Sequence, residues 1–279
     1  MLKFTKMQGL GNDYVYVDCT KSKEPDNVVE LAKFVSNRHF GIGSDGLILI
    51  CNSNICDFKM RMFNLDGSEA SMCGNGIRCV GKFVYDQGLT SKTEITIETL
   101  AGVKKLKLQV EEGKVTMVEV DMGEPILKAS SIPVIAKDSP VTNLTLQVEE
   151  KEFILTCVSM GNPHAVTIVD QLKDFDVKKY GSRLEVDPHF PKKANIEFVK
   201  VIDENTIEMR VWERGSGETF ACGTGACAAV VACHLNGLIS NKVTVKLLGG
   251  NLKVKWDKEN NHIYMTGPAV CVFKGELEE

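Results

Sequence analysis

The chain has 279 residues, a formal net charge of −4, 43% hydrophobic residues and ten cysteines. Its length suggests about two domains, and its small net charge gives no electrostatic reason to expect nucleic acid or an anionic membrane as the main partner. The first residues lack the apolar run of a signal peptide, and no stretch of about 18 apolar residues could span a bilayer. We therefore predict a cytoplasmic protein whose cysteines are free thiols.

Alternating hydrophobic patterns predict strands along the whole chain, whereas helical patterns are few. Strands are predicted at 14–18, 46–50, 59–63, 94–98, 104–110, 114–120, 143–148, 153–158, 165–169, 196–201, 207–212, 242–247, 252–256 and 262–265. Helices are predicted at 27–37, 74–87, 175–183 and 223–236. The last of these helices is apolar on almost every side, which is typical of a buried helix.

Two short segments in different halves of the chain are near copies of each other. They are Met72-Cys73-Gly74-Asn75-Gly76 and Ala221-Cys222-Gly223-Thr224-Gly225. Each places a cysteine before a Gly-x-Gly at the start of a predicted helix, and the two helices end alike, in Gly88-Leu89 and Gly237-Leu238.

Further matches lie in the same register. Glu69 and Glu218 precede the two cysteines by the same spacing, Asn12 matches Asn162, and Asn64 matches Glu213. A repeat of this length indicates two tandem domains, since solenoid repeats run at about 20–50 residues.

The duplication predicts an α/β (α+β) fold with two pseudo-symmetric domains, each a mostly antiparallel, strand-rich layer around a central helix. The turn signal at Met122-Gly123-Glu124-Pro125 places the boundary between them. We predict domains at 1–121 and 122–267, and we expect the C-terminal strand, 268–279, to complete the first domain.

Cys73 and Cys222 are the candidate catalytic residues. A lone cysteine is more often a small buried core residue, and we interpret the other eight cysteines in that way. At a helix start, however, the helix dipole and the free N–H groups favour a thiolate. Because the Cys-Gly-x-Gly pattern occurs once in each half, we predict two thiols that act on one substrate.

Several other kinds of site are disfavoured by the motifs. The cysteine spacings do not supply four zinc ligands, and the chain has no Cys-x-x-Cys for thioredoxin-like chemistry. Gly41-Ile42-Gly43-Ser44-Asp45-Gly46 precedes a predicted strand instead of following one, which is the wrong context for a dinucleotide site. Glu213-Arg214 is either an exposed ion pair of little effect or a pair that recognises a zwitterion, with Arg214 on a carboxylate and Glu213 on an ammonium.

Taken together, these motifs resemble the diaminopimelate epimerase family over essentially the whole chain. The blocks that carry the resemblance are Gly9-Leu10-Gly11-Asn12-Asp13, Phe63-Asn64-x-Asp66-Gly67-Ser68-Glu69, Cys73-Gly74-Asn75-Gly76-x-Arg78-Cys79, Gly161-Asn162-Pro163-His164 and Glu213-Arg214-Gly215-x-Gly217-Glu218-Thr219-x-Ala221-Cys222-Gly223-Thr224-Gly225. The resemblance implies an active-site cleft between the two domains. It also implies interconversion of LL- and meso-2,6-diaminopimelate without pyridoxal phosphate or metal, in lysine and peptidoglycan precursor synthesis.

The resemblance also implies roles for individual residues. Cys73 and Cys222 would be the acid/base pair, with Cys222 accepting and Cys73 donating the proton in the LL-to-meso direction, and His164 would tune the thiols. The substrate contacts would be Asn12, Asn64, Gly74, Asn75, Asn162, Asn195, Glu213, Arg214, Gly223 and Thr224. Some family members have Gln where this chain has Gly46, so that side-chain contact is missing here.

Two other functions stay open. One is proline or hydroxyproline racemisation, which Glu213-Arg214 disfavours because proline lacks a distal zwitterion. The other is a redox-switched binding protein in which Cys73 and Cys222 form a disulfide. We expect a small-molecule substrate as the partner, and association as a homodimer is left open.

Overall fold

The computed structural model describes residues 1–278. In this part of the chain, 18 strands, four α-helices and one short 3-10 helix form, and the chain divides into two compact units. The first unit contains Met1–Asp121 and the C-terminal segment from Thr266, and the second contains Met122–Met265. The predicted fold class, strand-rich α/β with two tandem pseudo-symmetric domains, is confirmed. The limits of the two epimerase domains stay a prediction.

The elements are numbered in chain order. Those in the first half are β1 Leu2–Gly9, β2 Asn12–Asp18, α1 Val28–Ser36, β3 Gly46–Cys51, β4 Phe58–Asn64, β5 Glu69–Ala70, α2 Gly74–Asp86, β6 Glu94–Thr99, β7 Gly102–Glu111 and β8 Lys114–Gly123. Those in the second half are the 3-10 helix Ala129–Ser131, β9 Leu144–Val148, β10 Lys151–Ser159, β11 Pro163–Ile168, α3 Val177–Leu184, β12 Asn195–Asp203, β13 Thr206–Glu213, β14 Gly217–Thr219, α4 Gly223–Leu235, β15 Lys242–Leu247, β16 Gly250–Trp256, β17 Ile263–Pro268 and β18 Val270–Leu277.

The strand pairing of the first unit is repeated in the second. In the first unit β1 pairs antiparallel with β18 and β2, β2 pairs parallel with β3, β3 pairs antiparallel with β4, and β4 pairs parallel with β6. In the second unit β10, β11, β12, β13 and β15 follow the same scheme, and β9 takes the place of β18. A helix lies between the strands of each of these four parallel pairs, because parallel neighbours need a long crossover connection.

Each unit has one helix on each face of its sheet. In the first unit Val15, Val17, Leu47 and Leu49 form a core cluster with the α1 residues Ala32 and Val35. Tyr16 points to the other face, because strand side chains alternate, and its hydroxyl donates to the Gly76 carbonyl of α2 at 3.2 Å. In the second unit α4, the apolar helix predicted to be buried, contacts six strands. No α-helix within residues 1–278 is both long and apolar enough to cross a membrane.

The repeated Gly-Leu dipeptides end α2 and α4. Gly88 and Gly237 have φ of 71° and 70°, the left-handed conformation that favours glycine. The next N–H groups bond back to the last helical turn, from Leu89 to Val84 at 2.9 Å and from Leu238 to Cys233 at 3.0 Å. Both ends are therefore Schellman motifs.

This geometry predicts the effect of a substitution at Gly237. No atom lies within 4 Å of a Cβ added there, so Gly237→Ala introduces backbone strain without a clash. We expect a loss of about 1–2 kcal/mol in the free energy of unfolding, measured by urea denaturation. Gly237→Asn should lose less, because Asn tolerates this conformation. Equal stability of the Ala variant and the unsubstituted protein would contradict this assignment of strain.

Candidate active site

Cys73 and Cys222 are the N-cap residues of α2 and α4. Both have extended backbones, with φ of −128° and −116°. Their Sγ atoms accept hydrogen bonds from the Gly76 and Gly225 N–H groups, each at 3.4 Å. Each sulfur thus satisfies one of the N–H groups that a helix start leaves without a partner.

The second glycine of each Cys-Gly-x-Gly packs closely against the sheet. A Cβ on Gly76 would lie 2.8 Å from Ile48 Cδ1, and a Cβ on Gly225 would lie 2.7 Å from Glu197 Oε1 and 3.2 Å from Cys222 Sγ. The first turn of each helix therefore rests directly on a strand. Glycine allows this approach and keeps the thiol at the surface of the sheet.

The duplicated glutamates before the cysteines hold hairpins in place. Arg61 and Glu69 join β4 to β5 by two hydrogen bonds of 2.8 and 3.0 Å. Arg210 and Glu218 join β13 to β14 in the same way, at 2.7 and 3.1 Å. Such bidentate pairs fix geometry well, so Glu69 and Glu218 position the segment that leads into each cysteine.

In the first unit, Asn12 lies beside Cys73 with its amide held in one orientation. Its Nδ2 donates to Asp45 Oδ2 at 2.8 Å. Its Oδ1 accepts from Cys73 Sγ at 3.2 Å and from Asn75 Nδ2 at 3.4 Å. The Tyr14 hydroxyl also interacts with the Cys73 and Asn12 side chains, and burial raises the pKa of Tyr14 well above its ordinary value. The predicted residues Asn12, Cys73, Gly74 and Asn75 thus lie together.

Charged residues behind Asn12 anchor this arrangement. Asp45 Oδ2 also accepts from the Asp13 N–H at 3.1 Å, and Arg38 bonds to both Asp13 and Asp45. Burial raises the pKa of Asp45. Burial also acts to raise the pKa of Asp13, but hydrogen bonds from Arg38 and Lys6 outweigh it and lower that pKa. Asp45 was not predicted to be a site residue, because only the folded chain places it next to Asn12.

In the second unit, Cys222 is buried among acidic groups. Its Sγ lies 3.5 Å from Thr224 Oγ1, and Glu213, which interacts with it, accepts from Thr219 Oγ1 at 2.5 Å. Burial raises the pKa of the Cys222 thiol well above its ordinary value, and the nearby Glu213 and Glu197 carboxylates raise it further. Burial also raises the pKa of Glu213. The sequence argument that the helix start favours a thiolate is therefore outweighed at Cys222.

His164 lies in the same unit with a partner that the sequence motifs did not reveal. Its side chain and that of Glu197 are fully buried. His164 Nδ1 lies 2.6 Å from Glu197 Oε1, and Nε2 lies 2.9 Å from Asn162 Oδ1. A signal for Glu197 was present in the sequence, since it is a lone carboxylate within the apolar strand pattern of 196–201.

The remaining predicted residues occupy different settings. Asn195 is buried, and its amide bridges the backbone, donating to the Pro163 carbonyl at 3.1 Å and accepting from the Arg214 N–H at 2.9 Å. The exposed Arg214 side chain donates from Nη1 to the Lys192 carbonyl at 3.0 Å. Asn64 donates to Ser68 Oγ at 3.0 Å.

Glu213 and Arg214 do not pair with each other. Glu213 accepts from Thr219 Oγ1, and Arg214 donates to the Lys192 carbonyl.

The electrostatics of Cys222 predict how Glu213→Gln changes its reactivity. Removing a carboxylate that raises the pKa of Cys222 should lower that pKa, so thiolate appears at lower pH. In a Cys73→Ala background, the pH midpoint for alkylation of Cys222 by iodoacetamide should move down. Reacted peptides are identified by mass spectrometry, and Glu152→Gln, which removes an exposed carboxylate of β10, serves as the control. A midpoint that stays in place or moves up contradicts the assignment.

A solved structure of another protein shows a similar fold. A phenazine biosynthesis protein of the PhzF family from Bacillus anthracis has the same fold, with a TM-score of 0.72 and 19% sequence identity over 100% of this chain and 99% of that chain. The molecule is thus of the class with two tandem, pseudo-symmetric α/β domains.

Sequence comparison identifies the family within this class. The family model described as diaminopimelate epimerase matches residues 4–128 and 156–272. The chain is 59% identical to the diaminopimelate epimerase of Methanococcus maripaludis strain C5, over 99% of this chain and 100% of that protein. It is also 59% identical to that of Acetivibrio thermocellus, over 99% of both chains. The chain belongs to the diaminopimelate epimerase family and is an isomerase.

Proposed function

We propose that the protein converts LL-2,6-diaminopimelate to meso-2,6-diaminopimelate without a cofactor, with Cys73 and Cys222 as the acid/base pair. The observation that carries this proposal is that each pseudo-symmetric unit presents one thiol at the N-cap of its central helix. The product would serve lysine and peptidoglycan precursor synthesis. A cytoplasmic location stays a prediction, and association as a homodimer stays open.

The chemistry requires two groups of opposite function. Inversion of an α-carbon needs a base that removes the proton from one face and an acid that supplies a proton to the other face. In the LL-to-meso direction, the Cys222 thiolate takes the α-proton and the Cys73 thiol donates its own. One thiol and one thiolate exist before and after each turnover, so the two groups titrate as a coupled pair.

The surroundings of the thiols support this assignment of roles. Cys73 donates a hydrogen bond to Asn12 Oδ1 at 3.2 Å, which favours the protonated thiol that an acid needs. Burial and two carboxylates raise the pKa of Cys222, so its thiolate is a stronger base once formed. This basicity matters because the α-proton of an amino acid is very weakly acidic.

The starts of α2 and α4 supply the electrostatic stabilisation. N–H groups at a helix start bind anions, and those at Gly74, Asn75, Gly223 and Thr224 lie in the first turns beside the thiols. We propose that they hold the carboxylate next to the reacting carbon and stabilise the carbanion-like transition state. Asn12, Asn64, Asn162, Asn195 and Glu213 would orient the rest of the substrate, with His164 tuning Cys222.

Exchange of the α-hydrogen in heavy water tests the proposed function. Incubation with LL-diaminopimelate should yield meso product that carries deuterium at the inverted carbon. Cys73→Ala and Cys222→Ala should each lower the rate of epimerisation by about 10²–10⁴-fold, the usual contribution of a general acid or base. Cys79→Ala and Cys227→Ala, in the same helices, are the controls and should keep most of the rate.

A rate above about a tenth of the original in either N-cap variant, far outside that range, would reject the two-thiol mechanism. Deuterium in proline instead of diaminopimelate would support the racemase alternative. No exchange in either amino acid would favour the binding-protein alternative.

The exposed Arg214 guanidinium would bind the distal carboxylate of diaminopimelate. Arg214→Lys keeps the charge but loses the planar fork, and a lost charge-assisted hydrogen bond costs about 1.5–3 kcal/mol. We therefore expect kcat/KM for diaminopimelate to fall about 10- to 150-fold. Lysine, which lacks the distal carboxylate, should be a very poor substrate for the unsubstituted protein.

The matched control is Arg183→Lys, another exposed arginine, which should leave kcat/KM unchanged. Equal turnover of lysine and diaminopimelate by the unsubstituted protein would exclude the distal role of Arg214.

A further inference from the structure

Cys19 and Cys51 are neighbouring thiols that the proposed active site does not use. They follow the parallel strands β2 and β3, in which Val17 lies opposite Leu49. The Cys19 N–H continues this ladder by donating to the Ile50 carbonyl at 2.8 Å. Because strand side chains alternate, the two cysteines are the next pair on the face that α1 covers, and both belong to the core cluster there.

The spacing of this pair suits a disulfide. Neighbouring strands lie about 4.7–4.9 Å apart, and the Cα atoms of a disulfide are usually about 4.4–6.8 Å apart. A side-chain hydrogen bond already joins the Cys19 and Cys51 thiols, so the two sulfurs are in contact. A bond between them can therefore form while the strands keep their spacing.

The second unit shows that the fold does not require thiols at this place. There the Val169 N–H donates to the Val199 carbonyl at 2.8 Å, as Cys19 does to Ile50. The equivalent residues are thus Val169 and Lys200, which follow from the parallel register of β11 and β12. The paired thiols are specific to the first unit.

The two thiols have unequal electrostatic surroundings. A hydrogen bond from Cys51 lowers the pKa of Cys19, and Arg61 acts in the same direction, which together outweigh burial and the Glu24 and Asp18 carboxylates. The hydrogen bond to Cys19 and burial raise the pKa of Cys51, and Glu24 raises it further. Since the thiolate is the reactive form, Cys19 is the sulfur that an oxidant reaches as a nucleophile.

The position of the pair limits which oxidant can act on it. Cys19 is 6% exposed and Cys51 is 5% exposed, so a molecule as small as hydrogen peroxide fits better than a bulky disulfide. Cys19 lies seven residues along β2 from Asn12, a distance of about 23 Å in an extended strand. The pair is therefore at the opposite end of the sheet from the Cys73 thiol, which contacts Asn12.

We propose that Cys19 and Cys51 are a redox modification site, at which hydrogen peroxide joins the two thiols in an intramolecular disulfide. The Cys19 thiolate attacks a peroxide oxygen and the O–O bond breaks, which leaves a sulfenic acid and one water. The Cys51 sulfur then attacks the Cys19 sulfur, the S–S bond forms, the S–O bond breaks and a second water leaves. The two thiols lose two electrons, and the peroxide gains them. This inference is independent of the proposed epimerase function.

Peptide mapping under non-reducing conditions tests the proposal on the unsubstituted protein. After treatment with hydrogen peroxide and alkylation of the remaining thiols, trypsin should release residues 7–21 joined to residues 39–59. The joined peptides should be lighter than the two free peptides by two hydrogen atoms, and dithiothreitol should separate them. Cys56 lies in the second peptide as well, so Cys56→Ser is the matched control and should keep the link, whereas Cys51→Ser should lose it.

Trapping of sulfenic acid with dimedone tests the order of the two steps. In Cys51→Ser the second step cannot occur, so dimedone should label Cys19. In Cys19→Ser, Cys51 should stay unlabelled. Labelling of Cys51 in that variant would overturn the assignment of the two roles.

The mapping of the unsubstituted protein decides the pairing even if a serine variant fails to fold. The proposal is wrong if residues 7–21 and 39–59 stay separate at a peroxide concentration that oxidises the exposed Cys271. A link that runs through Cys56 would also overturn it. The link should form in Cys73→Ala as in the unsubstituted protein, and its loss there would show that the N-cap thiol, and not peroxide, oxidises the pair.

Discussion

The close contact between the first turn of each central helix and the sheet below it is the constraint on which the rest of the site depends. A Cβ at Gly76 would lie 2.8 Å from Ile48 Cδ1, and one at Gly225 would lie 2.7 Å from Glu197 Oε1, so glycine lets this turn approach the sheet without moving those side chains. The same contact places the N-cap thiol and the free N–H groups next to the side chains on the face of the sheet that the helix covers. The β4–β5 and β13–β14 hairpins, each held by an Arg–Glu pair, position the segment before each cysteine in the same way in both units.

The duplication repeats the scaffold but not the chemistry on it. The strand-pairing scheme, the α-helices and the capped thiols correspond in the two units, whereas the residues under the thiols differ. Tyr14 and Ile48 occupy in the first unit the positions that His164 and Glu197 occupy in the second.

The competition at Cys222 shows which electrostatic effect dominates in a buried site. A helix N-terminus stabilises a nearby negative charge by about 0.3–1 kcal/mol, and by up to about 2 kcal/mol when it is partly buried. Removing a charge from water costs several kcal/mol in real proteins. Burial therefore outweighs the helix, and the pKa of Cys222 is raised. A buried thiolate or carboxylate at a helix start is more stable than the same buried anion without the helix, but it is still less stable than the anion in water.

The amino-acid sequence alone determined the repeat and most of the elements. The predicted helix at 74–87 is observed at Gly74–Asp86, because its N-cap cysteine, apolar stripe and final Gly-Leu all lie close together in the chain. The strand β1 was not predicted, since Phe4, Thr5, Lys6 and Met7 are all buried and give no alternation. The candidate catalytic cysteines, the asparagines and His164 were predicted from motifs. The tertiary structure revealed the partners Asp45 and Glu197, which bond to Asn12 and His164. Each bonds to a residue 33 positions away, and this contact exists only because a helical crossover brings two strands side by side in parallel.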